Sequence, residues 1–120
     1  MNFDQAIGAH GAWKLKLSVY LRKHDGSLKS QEASQDNKCE LGQWIYGEGK
    51  KYSTLPEYAA LKNEHGRFHK AAAAVIEKAD AGQSVSDETA LGAKSEFGTA
   101  SSAVVLAIMN MKTHTAKSGA

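Results

Sequence analysis

Apolar positions recur every three or four residues along most of the chain, and strand-like alternation never persists for more than a few residues. That periodicity predicts helices throughout. In the first segment Phe3, Ile7, His10, Trp13, Leu17 and Tyr20/Leu21 share one face, while Lys14, Lys16 and Arg22 fall mostly on others. An amphipathic helix is expected over residues 2–23, stopped by His24-Asp25-Gly26. Residues 27–37 are polar, carry no apolar period and read as a linker. A short helix is expected over residues 38–46, with Asp36 or Asn37 as its N-cap and Gly47-Glu48-Gly49 as its stop. Residues 50–55 read as a loop. Pro56 suits the first turn of the next helix, where its missing N–H costs nothing, with Thr54 as the expected cap.

The third helix has the strongest period: Tyr58, Leu61, His65, Phe68, Ala72, Val75/Ile76 and Ala79, ended by Ala81-Gly82. Steps alternating between three and four residues form the seam of a bundle helix. A fourth helix is expected from Ser86, where Asp87 and Glu88 suit its positive N-terminal end. Its apolar face is Leu91, Phe97, Val104, Val105, Ile108 and Met111. Its small residues (Gly92, Ala93, Gly98, Ala100, Ser101) permit close packing, although each glycine costs roughly 1 kcal/mol of helix propensity. These elements predict an all-α antiparallel four-helix bundle with one shorter helix and a long first linker. The bundle is expected to occupy residues 1–112, with residues 113–120 as a frayed tail.

Length and composition leave this picture intact. A chain of 120 residues can bury one core, and 42% apolar against 23% charged residues fits an ordinary globular domain. The net charge of +2 is spread without any run of five like charges, so neither nucleic acid nor an anionic membrane is an expected partner. The longest apolar run, residues 103–109, is far too short to span a bilayer. An acidic residue stands in the N-terminal stretch where a secretory signal carries positive charge, so a cytoplasmic location is expected. A single cysteine cannot form an internal disulfide, which fits a reducing compartment and leaves the thiol to be explained otherwise.

Among the five histidines, His24 at a helix end and His114 in the tail read as solvated side chains. His10, His65 and His69 fall on or beside apolar seams, where a buried ring needs a hydrogen-bond partner or a metal. His65 and His69 are one turn apart on one face, so both can reach the same ion. Cys39, in the first turn of the short helix, is placed where backbone N–H groups favour the thiolate that binds zinc. Helix rise lets them meet. The short helix climbs about 10 Å from Cys39, and the third helix returns about 13 Å from Pro56 to His65. The linker of 15 residues from His24 to Lys38, up to about 50 Å when extended, can carry Cys39 back beside His10. Three imidazoles and a thiolate complete a tetrahedron around one zinc and leave no position for substrate. A structural or regulatory centre is therefore expected, and no catalytic residue is assigned.

The motifs also resemble a known family. His10 followed by Trp13, the run Cys39-Glu40-Leu41-Gly42-Gln43-Trp44-Ile45-Tyr46, the stretch Leu55-Pro56-Glu57-Tyr58, and His65-Gly66-Arg67-Phe68-His69 resemble the chemoreceptor zinc-binding domain family. The resemblance implies a helical bundle holding zinc through His10, Cys39, His65 and His69. It also implies a role in sensing zinc or oxidants and frequent dimerisation. Such domains accompany bacterial chemoreceptors or diguanylate cyclases. Neither is present here, so a freestanding domain acting on a separate signalling partner is expected. Trp13, Trp44 and Phe68 are expected to wall the metal from water, and Lys50-Lys51 to be solvated. Oxidation of Cys39 would remove the only anionic ligand and loosen the site. Two other readings compete. A hemerythrin-like or di-iron bundle needs inward carboxylates, for which the last helix offers only Glu88 and Glu96. A metal-free interaction bundle would treat the histidines as core residues.

Overall fold

A computed structural model of the chain describes residues 2–23, 26–82 and 90–117. The described residues are all-α, with five helices and no strand. They are α1 (Phe3–Lys23), α2 (Ser30–Ala33), α3 (Glu40–Tyr46), α4 (Pro56–Asp80) and α5 (Glu96–Lys117), with a 3₁₀ turn at Glu48–Tyr52 between α3 and α4. The three long helices pack against one another, and α2 and α3 lie on α4.

The periodicity is borne out in the long helices. Along α4, Tyr58, Leu61, His65, Phe68, Ala72, Val75, Ile76 and Ala79 are all buried. On α1 the buried line is Phe3, Ala6, His10, Leu17, Ser18 and Tyr20, while Ile7, Trp13 and Leu21 are half-buried. The α5 face buries Phe97, Ala100, Val104, Ala107, Ile108 and Met111. Pro56 opens α4 as expected. Gly26 and Gly82, just beyond α1 and α4, adopt φ of +79° and +76°, backbone conformations that a Cβ disfavours.

Tertiary contacts overrule several local expectations. The polar linker is not structureless: it contains α2, whose Ala33 is buried. One helical turn is too short to show a period, so its sequence carries no signal. The short helix starts two residues later than expected, at Glu40, and its N-cap is Cys39 rather than Asp36 or Asn37. Thr54 does not cap α4. The cap position belongs to Leu55, which makes no side-chain cap bond. Residues 48–52 form the 3₁₀ turn where a stop and loop were expected.

The expected helix start at Ser86, with Asp87 and Glu88, lies outside the described residues, as does His24. The continuous fourth helix is interrupted: residues 92–95 form a turn, and Ser95 begins α5 by accepting the Gly98 N–H at 2.9 Å. α5 then continues to Lys117.

Interhelical ties run between polar groups at the core margins. Tyr20 on α1 donates to Asp80 on α4 at 2.6 Å, and Tyr58 on α4 donates to the Ile45 carbonyl of α3 at 2.5 Å. The second bond fixes the C-terminal end of α3 against the first turn of α4.

Candidate metal centre

Four side chains from three parts of the fold converge in the interior. His10 comes from α1, Cys39 from the start of α3, and His65 and His69 from successive turns of α4. One potential ligand atom of each lies within 4.8 Å of all the others. His65 Nε2 is the hub, at 3.0 Å from His10 Nε2, 3.1 Å from His69 Nε2 and 3.2 Å from Cys39 Sγ. The sulfur lies 3.7 Å from His69 Nε2 and 4.0 Å from His10 Nε2. Around a tetrahedral zinc, ordinary bond lengths separate nitrogen pairs by about 3.3 Å and nitrogen–sulfur pairs by about 3.6 Å. The two nitrogen pairs fall slightly short of their value, and the nitrogen–sulfur distances bracket theirs.

Backbone carbonyls settle which ring nitrogens carry protons. His10 Nδ1 is 2.7 Å from the Ala6 carbonyl, and His69 Nδ1 is 2.9 Å from the Ala33 carbonyl. A carbonyl only accepts, so both Nδ1 atoms donate, and each neutral ring then presents a lone pair at Nε2. Those lone pairs point at the same place as His65 Nε2 and the Cys39 sulfur. Such a concentration of electron pairs suits a soft or borderline divalent cation. The donor set therefore fits zinc, and the two carbonyls supply the outer hydrogen bonds that orient metal-bound imidazoles.

Burial keeps the rings neutral. His65 is fully buried and His10 and His69 are 3% exposed. Desolvation, reinforced by the charges of His69 and His10, lowers the His65 pKa to about 3. It lowers His10 and His69 as well, against the opposing pull of their carbonyl partners. Neutral imidazole is the form that binds metal. His65 Nδ1 is buried without a partner among the described residues, a cost of about 1–3 kcal/mol that the centre carries.

Cys39 corrects a sequence expectation. Its sulfur does accept the Gly42 N–H, at 3.3 Å, as a helix-start thiolate would. Desolvation outweighs this bond and the other backbone N–H groups, so within the protein alone its pKa is raised. A cation beside the sulfur reverses that balance. Gly42 is a steric requirement: a Cβ there would collide with the Asp36 carbonyl and come within 2.9 Å of the Asn37 Cα. The glycine lets the chain before Cys39 lie directly on α3.

The surrounding aromatics divide. Phe68 packs edge-on to His10 and His69, with centroids 5.2 and 5.6 Å away, and Trp13 lies 6.4 Å from His69. Trp44 instead packs with Phe3 and Tyr52, at 5.3 and 6.0 Å, and so serves the neighbouring core. Lys50 and Lys51 are exposed, as expected. His114 sits outside the cluster, 3.9 Å from a Glu57 oxygen.

Among the described residues, no carboxylate belongs to the cluster. Glu96 and Glu64 engage Arg67, Glu40 is exposed, and Glu88 lies outside the described residues. The sequence motifs located all four converging side chains. They did not locate the carbonyls of Ala6 and Ala33, because a backbone acceptor leaves no mark on residue type.

An all-α domain that gathers three imidazoles and one thiol at a buried point has the donor set of a metal-binding module. The pattern of the chemoreceptor zinc-binding domain matches residues 10–76, more than half of the chain. The chain belongs to that family, and it is a zinc-binding sensory domain. No curated protein and no solved structure matches it.

Proposed function

We propose that His10, Cys39, His65 and His69 coordinate one zinc ion and that its occupancy is the signal this domain transmits. The observation that carries the reading is the convergence of four donors, two of them held as Nε2 lone pairs by backbone carbonyls. Four protein ligands leave no open coordination position, so the centre regulates rather than catalyses. Zinc pins α1, the start of α3 and α4 at one point, and its loss changes how firmly those elements hold together.

The zinc domain proper occupies residues 1–112 in this reading, arranged as an antiparallel four-helix bundle with one shorter helix. No described helix is long and apolar enough to cross a membrane. We place the domain in the cytoplasm, where it reports zinc or oxidant status to a cyclase or chemoreceptor pathway, as a homodimer or through a separate partner. The exposed Leu15 and Val19 on α1 and Leu106 and Met109 on α5 offer apolar area for such contacts.

Elemental analysis of the purified protein, with and without Cys39→Ser and His65→Ala, tests the assignment. About one zinc per chain is expected in the parent and at least a hundredfold weaker retention in each variant. Equal zinc in all three proteins would refute the ligand set.

A further inference from the structure

The four donors are unequally protected. The three imidazoles are between 0% and 3% exposed, whereas Cys39 is only partly buried. A cleft of about 280 Å³ lies over the cysteine side of the cluster. Its lining includes Cys39 and His69 together with Trp13, Leu28, Lys29 and Lys38. Lys29 and Lys38 are exposed. Glu32 shares the lining, which leaves one net positive charge among these side chains.

From this arrangement we infer that the cleft is the port through which zinc is exchanged, and that its visitor is a small anionic chelator bearing carboxylate or thiolate donors. The inference rests on the zinc reading of the four residues. A saturated tetrahedron releases its ion fastest when an incoming donor takes over one position as a ligand departs. The departing ligand is the one a visitor can reach. Unaided release from the imidazole side would require α1 and α4 to separate, because His10 and His65 are buried between them.

At the port, the visitor's lone pair bonds to zinc, the Zn–S bond of Cys39 breaks, and the freed thiolate takes a proton from water. Further donors of the same visitor then displace the histidines one at a time, and zinc leaves as the chelate. Loading runs the same steps backwards. The volume admits a small molecule, and the lysines favour a negative one.

The test follows zinc transfer from the intact, zinc-loaded protein to two chelators, EDTA, which is anionic at neutral pH, and TPEN, which is uncharged. Transfer to EDTA is expected to be linear in EDTA concentration. Lys29→Glu combined with Lys38→Glu is expected to slow it about tenfold, while transfer to TPEN changes less than about twofold. Lys29→Glu alone, ten positions from the cysteine, is expected to move in the same direction. Lys51→Glu, outside the cleft lining, is expected to change neither rate.

Equilibrium zinc affinity and the melting temperature of each variant show whether folding or the centre itself was disturbed. A rate independent of EDTA concentration would overturn the port, because release would then be limited by spontaneous opening. Equal slowing with both chelators would overturn the role of the lysines. A protein that takes up no zinc at all would instead overturn the underlying assignment of the centre.

Discussion

His69 donates its Nδ1 proton to the carbonyl of Ala33 across 2.9 Å, and this bond joins the metal cluster to α2. A metal at Nε2 requires the proton to stay on Nδ1, so zinc enforces the tautomer that holds α2 in place. Without the metal the Ala33 carbonyl alone holds the proton on Nδ1, and the other tautomer cannot donate to it. Chelation is therefore expected to speed amide exchange in residues 30–36 by at least tenfold, with smaller changes in the middle of α4. Peptide-resolved hydrogen exchange reads this directly, and uniform change across the chain would rule the coupling out.

Zinc uptake is expected to release about one proton per ion at pH 7. Burial raises the Cys39 pKa above its ordinary value of 9.0, so the thiol must deprotonate on binding. The three histidines are lowered, so they are neutral at pH 7 and keep their single ring proton when a metal binds the other nitrogen. Calorimetric titrations in buffers of different ionisation enthalpy count the protons. A count near zero would indicate a preformed thiolate, and a count of two or more a charged histidine.

Acid is expected to destabilise the metal-free protein in a definite window. An unfolded histidine takes up its proton near pH 6.5, whereas folded His65 resists until about 3. The folded state thus binds fewer protons below pH 6.5, and stability falls as pH drops towards 3. His10 and His69 act with the same sign. Each histidine contributes a slope of up to about 1.4 kcal/mol per pH unit. Melting temperatures of chelator-treated protein should be nearly flat above pH 7 in this respect and decline below it. His65→Gln should make the decline shallower.

Two glycine substitutions are expected to act in opposite directions. Gly11→Ala falls inside α1 with nothing within 4 Å of the new Cβ, and should stabilise by about 0.5–1 kcal/mol. Gly42→Ala drives a methyl into the Asp36 carbonyl and should cost about 1–3 kcal/mol. Because the displaced chain leads into Cys39, zinc affinity should fall as well. Chemical denaturation and competitive zinc titration of both variants give the comparison.

Tyr20→Phe removes the hydroxyl that reaches Asp80, well along α1 from His10. A loss of about 1 kcal/mol of stability is expected, with zinc affinity unchanged. A parallel loss of affinity would mean that the lower half of α1 is coupled to the metal.

The sequence and the structure part company at points with a common cause. α1 and α4 were legible because each buries a long apolar face whose period extends over several turns, with His10, His65 and His69 in phase with it. Cys39 was legible through its motif. Its role as N-cap was not, because Asp36 and Asn37 are stronger local candidates and only the packing of their backbone on Gly42 displaces them. α2 is invisible for want of length. Its place is set by contacts with α4 and by a hydrogen bond from a residue 36 positions away. The break before α5 lies among small residues whose helical and turn preferences nearly balance, and Ser95 decides the matter by capping.

α5 supplies none of the four donors, although it packs on both helices that carry histidines. Its position is thus not dictated by coordination geometry. It is held by core packing and exposed ion pairs, including Arg67–Glu96 and Lys112–Asp4. A direct aromatic path from the cluster to it runs through Phe68, 5.2 Å from the His10 ring and 5.3 Å from Phe97. The four side chains thus tie α1, the start of α3 and α4 at one point, and α5 is joined to that point through packed side chains such as the Phe68–Phe97 pair.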